Sequence, residues 1–387
     1  MNVDIIILAA GQGKRMQSPL PKVLQSLGGK PLLQHVVDTC SKIEKAKLHI
    51  IVGEQKKLIQ SSISAPKSTN WVIQKKQLGT GHAVKQVLPS LRANSQAVVL
   101  YGDGPLVKSS TLKKLISNVA KNNLTLLTFE SANPKGLGRI IRQSNSKVSG
   151  IVEEKDASSS EKQIKEVNSG ILATSTKNLK QWLPKLRNNN ASKEYYLTDI
   201  VTLCSSENKK IKAINLGDTS ELLGANDNQE LQNLERIYQK ETALRFLKYG
   251  VKFADINRVD FRGEISIGKN AFIDINVVLE GKVSIGSDSI ISVGAVIRNS
   301  TLSKKIKVEP YSVIENSKIG DNSMIGPFAH IGPGADLAND VEIGNFVEVK
   351  RSTISQKTKA KHLAYIGDGA IDSNVNVGAG TIFVNYD

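Results

Sequence analysis

"LAAGQGKRMQSPLPK", residues 8–22, follows at once on the apolar run Val3-Asp4-Ile5-Ile6-Ile7. A buried strand that breaks into glycines, cations and prolines marks the carboxyl end of a strand in an open sheet. The rest of the first 250 residues supports that reading. Strand-like apolar segments at 5–9, 48–52, 71–73, 97–101 and 124–129 alternate with helical patterns at 32–43 and 83–91, the βαβ signature of a mainly parallel sheet. Sheets of this kind bind ligands beyond the carboxyl ends of their strands. The loop after the first strand therefore stands where a ligand belongs.

Its residues suggest an anion. Gly11 and Gly13 allow main-chain amides to approach a phosphate closely, and Lys14, Arg15 and Lys22 supply positive charge, Arg15 as a planar fork able to grip two oxygens. A tight turn would use the same glycines. The stretch is neither the ATPase-type GxxxxGK[ST] loop nor a three-glycine dinucleotide fingerprint. A second loop, "QKKQLGTGHA" (74–83), offers glutamines that can read a nucleobase edge. A third, "VVLYGDGPL", sets Asp103 just beyond a strong apolar strand, where it can hold Mg²⁺ or serve as a turn residue beside Gly102 and Pro105.

Composition narrows the class. A chain of 387 residues with 40% hydrophobic content is long enough for two or more cored domains. Its two cysteines, Cys40 and Cys204, give no disulfide framework and fit a reducing compartment. The amino terminus runs into a charged glycine loop and no apolar run reaches a membrane span, so no leader or membrane partner is expected and the location is read as cytoplasmic. The formal charge of +16 attracts anions. No zinc finger, basic helix or aromatic-basic RNA motif accompanies it, so nucleic acid is not the expected partner.

The chain changes character near residue 250. "LQNLERIYQKETALRFLKYG" places Leu231, Leu234, Ile237 and Tyr238, then Ala243, Leu244 and Leu247, on one helical face ending at Gly250. Beyond it Ile267, Ile273, Leu279, Ile285, Ile291 and Ile297 stand six apart. After an irregular patch, Val313, Ile319, Ile325, Ile331, Leu337, Ile343 and Val349 do the same. A six-residue period belongs to a β-helical solenoid with one inward aliphatic per short strand, about three strands to the coil and about seven coils in all. The expected division is 1–225 for the α/β domain, 226–250 for a linking helix and 251–387 for the solenoid.

The ordered series "LAAGQGKRM…PK", "QKKQLGTGHA", "YGDGPL", "GLGRI", "GIVEEKDA", "EVNSGI", "NNNASKEYYLTDI" and "GANDNQEL" resembles the uridylyltransferase half of a bacterial family of bifunctional enzymes. These acetylate glucosamine 1-phosphate and then make UDP-N-acetylglucosamine. "IGPFAHIGPGA", "IGNFVEVKRSTI", "KAKHLAYIGDG" and "NVNVGAGTIFVNYD" resemble its acetyltransferase half. The resemblance implies a Rossmann-like mixed sheet followed by a left-handed parallel β-helix, and a homotrimer built through the solenoids. It also implies a Mg²⁺-dependent reaction of UTP with N-acetylglucosamine 1-phosphate that releases pyrophosphate.

Carried over position by position, the resemblance puts Leu8, Ala9, Ala10 and Gly11 on the uracil and ribose side of the nucleotide. Arg15 and Lys22 would lie on the phosphates, Gln74, Gln77, Gly79 and Thr80 on uracil, and Asp103 and Asn226 on Mg²⁺. Tyr101, Gly102, Gly138, Glu153 and Asn168 would surround the sugar phosphate. For acetyl transfer it implies His362 as general base. Lys350, Tyr365, Asn376, Asn385 and Tyr386 would hold glucosamine 1-phosphate and the acetyl end of acetyl-CoA. Three departures stand out. Gly104 replaces a valine of the family, and "PFAHIGPG" puts His330 and Gly332 where the family has arginines. The sequence also stops at Asp387, before the family's later coils and terminal arm. A fragment of a longer protein, or a natural form without acetyl transfer, is expected. Two other readings stay open: a nucleotidyltransferase for another sugar phosphate, and a non-catalytic solenoid scaffold.

Overall fold

All seven residues of Val3–Ala9 (β1) are buried. They alternate between two cores, Ile5, Ile7 and Ala9 facing one and Ile6 and Leu8 the other, as a central strand covered on both faces requires. In this computed structural model, which describes every residue except Gln12, Asp218, Thr219, Tyr386 and Asp387, β1 is parallel to Ala46–Val52 (β2), which is followed outward by Asn70–Ile73 (β3). On its other side β1 is parallel to Gln96–Tyr101 (β4). Leu124–Glu130 (β5), the hairpin Arg139–Arg142 (β6) and Val148–Val152 (β7), Glu166–Ser175 (β8) and Ile211–Asn215 (β9) complete the sheet. Its order is β9-β5-β8-β4-β1-β2-β3, with β6 and β7 off the path. Because β8 is antiparallel to β4 and β5, the sheet is mixed. The carboxyl ends of β1, β2, β3 and β4 nonetheless share one edge, and the loops read above leave from it.

The helix Leu32–Cys40 buries Leu32, Leu33, Val36, Val37 and Cys40, a stripe at helical spacing. The expected helix at 83–91 is instead an α-helix Thr80–Lys85 and a separate 3₁₀ turn Leu88–Ser90. Pro89 has no N–H to continue the ladder. Cys40 and Cys204 are free and buried. Among the described residues no helix is long and apolar enough to cross a membrane.

The chain forms two compact units, Met1–Ser26 with Pro31–Leu234, and Leu27–Lys30 with Glu235–Asp387. The division falls inside the helix Asn228–Tyr249. Within the second unit that helix buries Gln239, Thr242, Ala243 and Phe246, while Leu244 and Leu247 are exposed, which corrects the apolar face read from the sequence. Ala243 and Phe246 join the solenoid core. Gln239 closes the first coil as a strand would: its Nε2 donates to the Phe261 carbonyl at 3.0 Å and its Oε1 accepts from the Phe261 N–H at 2.7 Å. A buried amide thus satisfies backbone groups that an open sheet edge would leave bare.

In the solenoid every inward aliphatic from Ile267 to Ile297 is at most 2% exposed. The interruption read after Ile297 does not exist. Leu302, Val308 and Ile314 continue the buried row, and Ile314, not Val313, points inward. The steps from Ile297 to Leu302, Ile314 to Ile319, Val349 to Ile354 and Ile366 to Ile371 are five residues, and the rest are six. Each of those shorter steps turns on one residue of positive φ, at Asn299, Asn316, Arg351 and Asp368. A period search tuned to six loses the phase at such a step. Consecutive coils pair in parallel register, as in Glu342↔Lys359 and Lys359↔Asn376.

Candidate functional site

Two cavities open at the carboxyl edge of the sheet. One, of about 250 Å³, is lined by Leu8, Ala9, Ala10 and Gly11 from the first loop, Gln74, Gln77, Gly79 and Thr80 from the second, and Lys22, Tyr101, Asp103 and Glu194. The other, of about 330 Å³, is lined by Gly138, Glu153, Asn168, Asn226 and again Lys22, Tyr101 and Asp103. The shared wall is where two ligands, one in each cavity, would meet. Arg15 is exposed on the 3₁₀ turn Lys14–Met16 and lines neither cavity. Gly102 also lies outside both linings. It packs beneath β1, its N–H donating to the Leu8 carbonyl at 2.9 Å.

Glycine sets the spacing of the loops around the first cavity. Gly79 has φ +104°, and a Cβ there would come within 2.6 Å of the Tyr195 carbonyl; one on Gly81 would meet Leu186 at 2.5 Å. Only bare backbone lets the 194–197 segment close over this turn. It is held there by Gly81 N–H to Tyr195 O and Tyr195 N–H to Leu78 O, both 2.8 Å. The Thr80 hydroxyl oxygen accepts from the Leu197 N–H at 3.1 Å, so part of its role is to anchor this lid. Gln77 reaches across to the first loop, donating to the Ala10 carbonyl at 2.7 Å.

At the shared wall the Lys22 ammonium is ion-paired with Asp103 and donates to Asn226 Oδ1 at 3.1 Å. Two hard oxygens, from residues far apart in sequence, therefore converge on one positive charge. That is the donor set Mg²⁺ prefers, and the lysine shows that a cation fits between them. Glu230, absent from the sequence reading, fixes the arrangement. It accepts from Asn226 N–H at 2.7 Å and Nδ2 at 3.0 Å, which turns the carboxamide oxygen toward the wall. The signal was the Asp-x-x-Glu helix start, for Asp227 accepts from the Glu230 N–H at 2.9 Å.

In the second cavity Asn168 N–H donates to the Gly138 carbonyl at 2.9 Å, and Glu153 accepts from the Thr198 hydroxyl at 2.8 Å. Burial raises the Glu153 pKa against that hydrogen bond. Asp199 is pushed up to about 6 by burial and by the charges of Glu153 and Asp156. Gly170, at φ +78°, leaves room for the Tyr101 ring, which a Cβ would strike.

The second unit presents a different surface. His362 is exposed, with Nδ1 3.0 Å from Asn345 Oδ1, its register partner one coil back. With the ring proton on Nδ1, Nε2 keeps a free lone pair. Asn345 was missed because a spacing of seventeen residues means nothing until the coil is known. Asn385 donates to the Tyr365 hydroxyl at 3.2 Å and also bonds Asp368, which Arg351 grips at 2.6 Å. Lys350 lies on the strand Glu342–Lys350, and Asn376 lines an open depression with His362. A Cβ on Gly332 would meet nothing nearer than the Val349 carbonyl at 3.5 Å, with the His330 ring at 3.7 Å. Tyr386 lies outside the described residues.

Comparison with known proteins finds one family match in the first unit and two in the second. Residues 5–144 match the MobA-like NTP transferase domain, 261–332 the GMPPB C-terminal domain, and 316–351 the bacterial transferase hexapeptide (six repeats). Together with the observed sheet and coils, these give an α/β nucleotidyltransferase fold followed by a left-handed parallel β-helix. The bifunctional protein GlmU of Marinobacter nauticus is 45% identical over 385 residues, covering 100% of this chain and 85% of that protein. That of Baumannia cicadellinicola is 46% identical, covering 100% of this chain and 84% of its own length.

Proposed function

From the premise that this chain belongs to the bifunctional GlmU family, we propose that its first unit transfers the uridylyl group of UTP to N-acetyl-α-D-glucosamine 1-phosphate, giving UDP-N-acetylglucosamine and pyrophosphate. The observation that carries this is the shared wall. One cavity with base-reading glutamines and another with a carboxylate and an asparagine for a sugar meet at Lys22, Tyr101 and Asp103. Reacting groups at such a junction are held within reach of each other, which supplies much of a phosphoryl-transfer rate.

In this reading a phosphate oxygen of the sugar phosphate attacks the α-phosphorus of UTP in line. An O–P bond forms, and the bond to the leaving pyrophosphate breaks. The protein contributes no nucleophile. Lys22 neutralises charge on the phosphoryl oxygens, Gln74 and Gln77 hold the base, and Glu153 with Asn168 orients the sugar. Arg15, on its exposed turn, meets the outer phosphates. Asp103 and Asn226, aimed by Glu230, would hold Mg²⁺, which when bound supplies charge neutralisation to the triphosphate. The family's second reaction, acetyl transfer from acetyl-CoA to glucosamine 1-phosphate, has its base here in His362, aligned by Asn345. Lys350, Tyr365, Asn376 and Asn385 stand around it as contacts for the amino sugar and the acetyl group. Gly332, however, offers no side chain to grip the phosphate, and the proposal is confined to uridylyl transfer. The family's trimeric assembly is carried with it.

The test is pyrophosphate release with Mg²⁺, UTP and N-acetylglucosamine 1-phosphate, beside CTP, dTTP and GTP. UTP-selective release supports the reading. Equal use of another nucleotide favours a different sugar nucleotide, and no release from folded protein overturns catalysis altogether.

A further inference from the structure

The nucleotide cavity contains one polar side chain whose orientation is dictated from behind. Gln74 lines the cavity yet is only 4% exposed. Its amide nitrogen lies 3.2 Å from the Gly79 carbonyl. A backbone carbonyl only accepts, so the atom facing it must be the NH₂ group and not the oxygen. The other N–H of that group points at His82 Nδ1, 3.1 Å away. With both donors engaged, Oε1 has no partner among the described residues and is the atom left for the cavity.

We propose that His82 is the positioning residue that makes this cavity select uracil over cytosine, by accepting from Gln74 and so holding its carboxamide oxygen toward the base. The proposal rests on the uridylyl reading above. Uracil carries a hydrogen on N3 and cytosine a lone pair, so an inward acceptor at Gln74 pairs with the first and opposes the second. His82 itself is not among the lining residues and acts only through Gln74.

The role requires an unprotonated Nδ1. The ring's other nitrogen lies 3.2 Å from the Gln86 carboxamide, whose nitrogen is also 3.1 Å from the His82 carbonyl. Two NH₂ groups thus flank one imidazole, and a neutral ring can accept from only one of them. Gln74 is buried and cannot replace a lost bond with water. Gln86 is half-buried, keeps its bond to the His82 carbonyl, and can give up the contact with Nε2 to water. The tautomer with the lone pair on Nδ1 is therefore favoured. A doubly protonated ring would face donors on both sides. Burial and the neighbouring Lys85 charge also hold the His82 pKa below its ordinary value.

The experiment measures calorimetric Kd values for UTP and CTP with the full chain and no sugar phosphate. The parent, His82→Phe, His82→Leu and His82→Asn are compared, and pyrophosphate release is followed in parallel. The parent is expected to prefer UTP. Phe and Leu, two shapes without an acceptor, should each lower the UTP-to-CTP preference about tenfold. Asn, which restores an acceptor near the Nδ1 position, should keep it within about threefold. Whichever of the Phe and Leu variants folds gives the answer. An unchanged ratio in that variant, a loss in Asn as large as in Leu, or a parent that binds both nucleotides equally would overturn the assignment. A parent that binds UTP selectively but releases no pyrophosphate sinks the catalytic reading alone and leaves the role of His82 supported.

Discussion

The wall around Lys22 is gathered from segments between residues 8 and 226, whereas everything around His362 comes from neighbouring coils of one repeating strand. The two arrangements solve opposite problems. A sheet edge lets loops of unrelated sequence converge, so its groups can be buried, paired and aimed, as Glu230 aims Asn226. A solenoid wall aligns one residue per coil with little effort and leaves each exposed, as His362 is. Charge shows the same contrast. Burial drives Asp199 up to about 6 next to Thr198 and Glu153, while on the open wall Arg351, and then Asn385, hold Asp368 down at about 2. Convergence yields enclosure and repetition yields register.

The comparison breaks most visibly at Lys22. Lys22→Ala should lower pyrophosphate release by about 10³-fold, because it removes the cation from the junction of the two cavities. Thermal unfolding should be nearly unchanged. A loss of activity matched by a large fall in Tm would mean that the wall is scaffolding. Next in size is Ile325→Ala, which empties a fully buried position of the repeat. It should cost the solenoid about 3 kcal/mol, read as an earlier transition in calorimetry, with uridylyl transfer by native protein unaltered. A parallel fall in pyrophosphate release would show that the two regions are not separable in function.

Asp199 tests whether enclosure is costly. Its folded pKa is above the unfolded value of 3.8, so the stability it allows is fully present below about pH 3.8 and is lost as pH rises through about 6. Asp199→Asn should therefore stabilise the protein by on the order of 2 kcal/mol at pH 8 and give no gain at pH 4, measured by urea unfolding. A gain equal at both values would rule out the charge explanation. The smallest effect is expected on the open wall. Gly332→Arg has clear space at Cβ and should leave Tm unchanged. It should tighten glucosamine 1-phosphate about tenfold in calorimetry by adding a guanidinium fork. Unchanged affinity would remove position 332 from the phosphate site.

Five of the nine strands of the sheet were legible as apolar runs, because a strand covered on both faces, as β1 is, buries nearly every side chain. The solenoid core was legible because burial imposes a period of six in most of the coils. The four strands after β5 went unread. The first site was legible where chemistry is written locally, in the glycines and cations of 8–22, the glutamines of 74–77 and Asp103. What escaped has one physical cause, contact between residues whose separation carries no local pattern. Asn345 supports His362 across a coil. Glu230 needs the helix start to be placed before its carboxylate can be assigned. Gln239 sits on a helical face where an apolar residue was expected, and its amide takes the place of a missing strand. The exposure of Leu244 and Leu247 follows from the same face having turned toward Ala243 and Phe246.

The five-residue steps at Asn299, Asn316, Arg351 and Asp368 also make the solenoid an uneven ruler. A residue added at one of these corners only lengthens a short side to match its neighbours, and the coils above and below keep their inward aliphatics. The same addition within a strand would exchange inside for outside along the rest of that strand. The corners are thus the places where such a chain can gain or lose length in evolution without rewriting its interior.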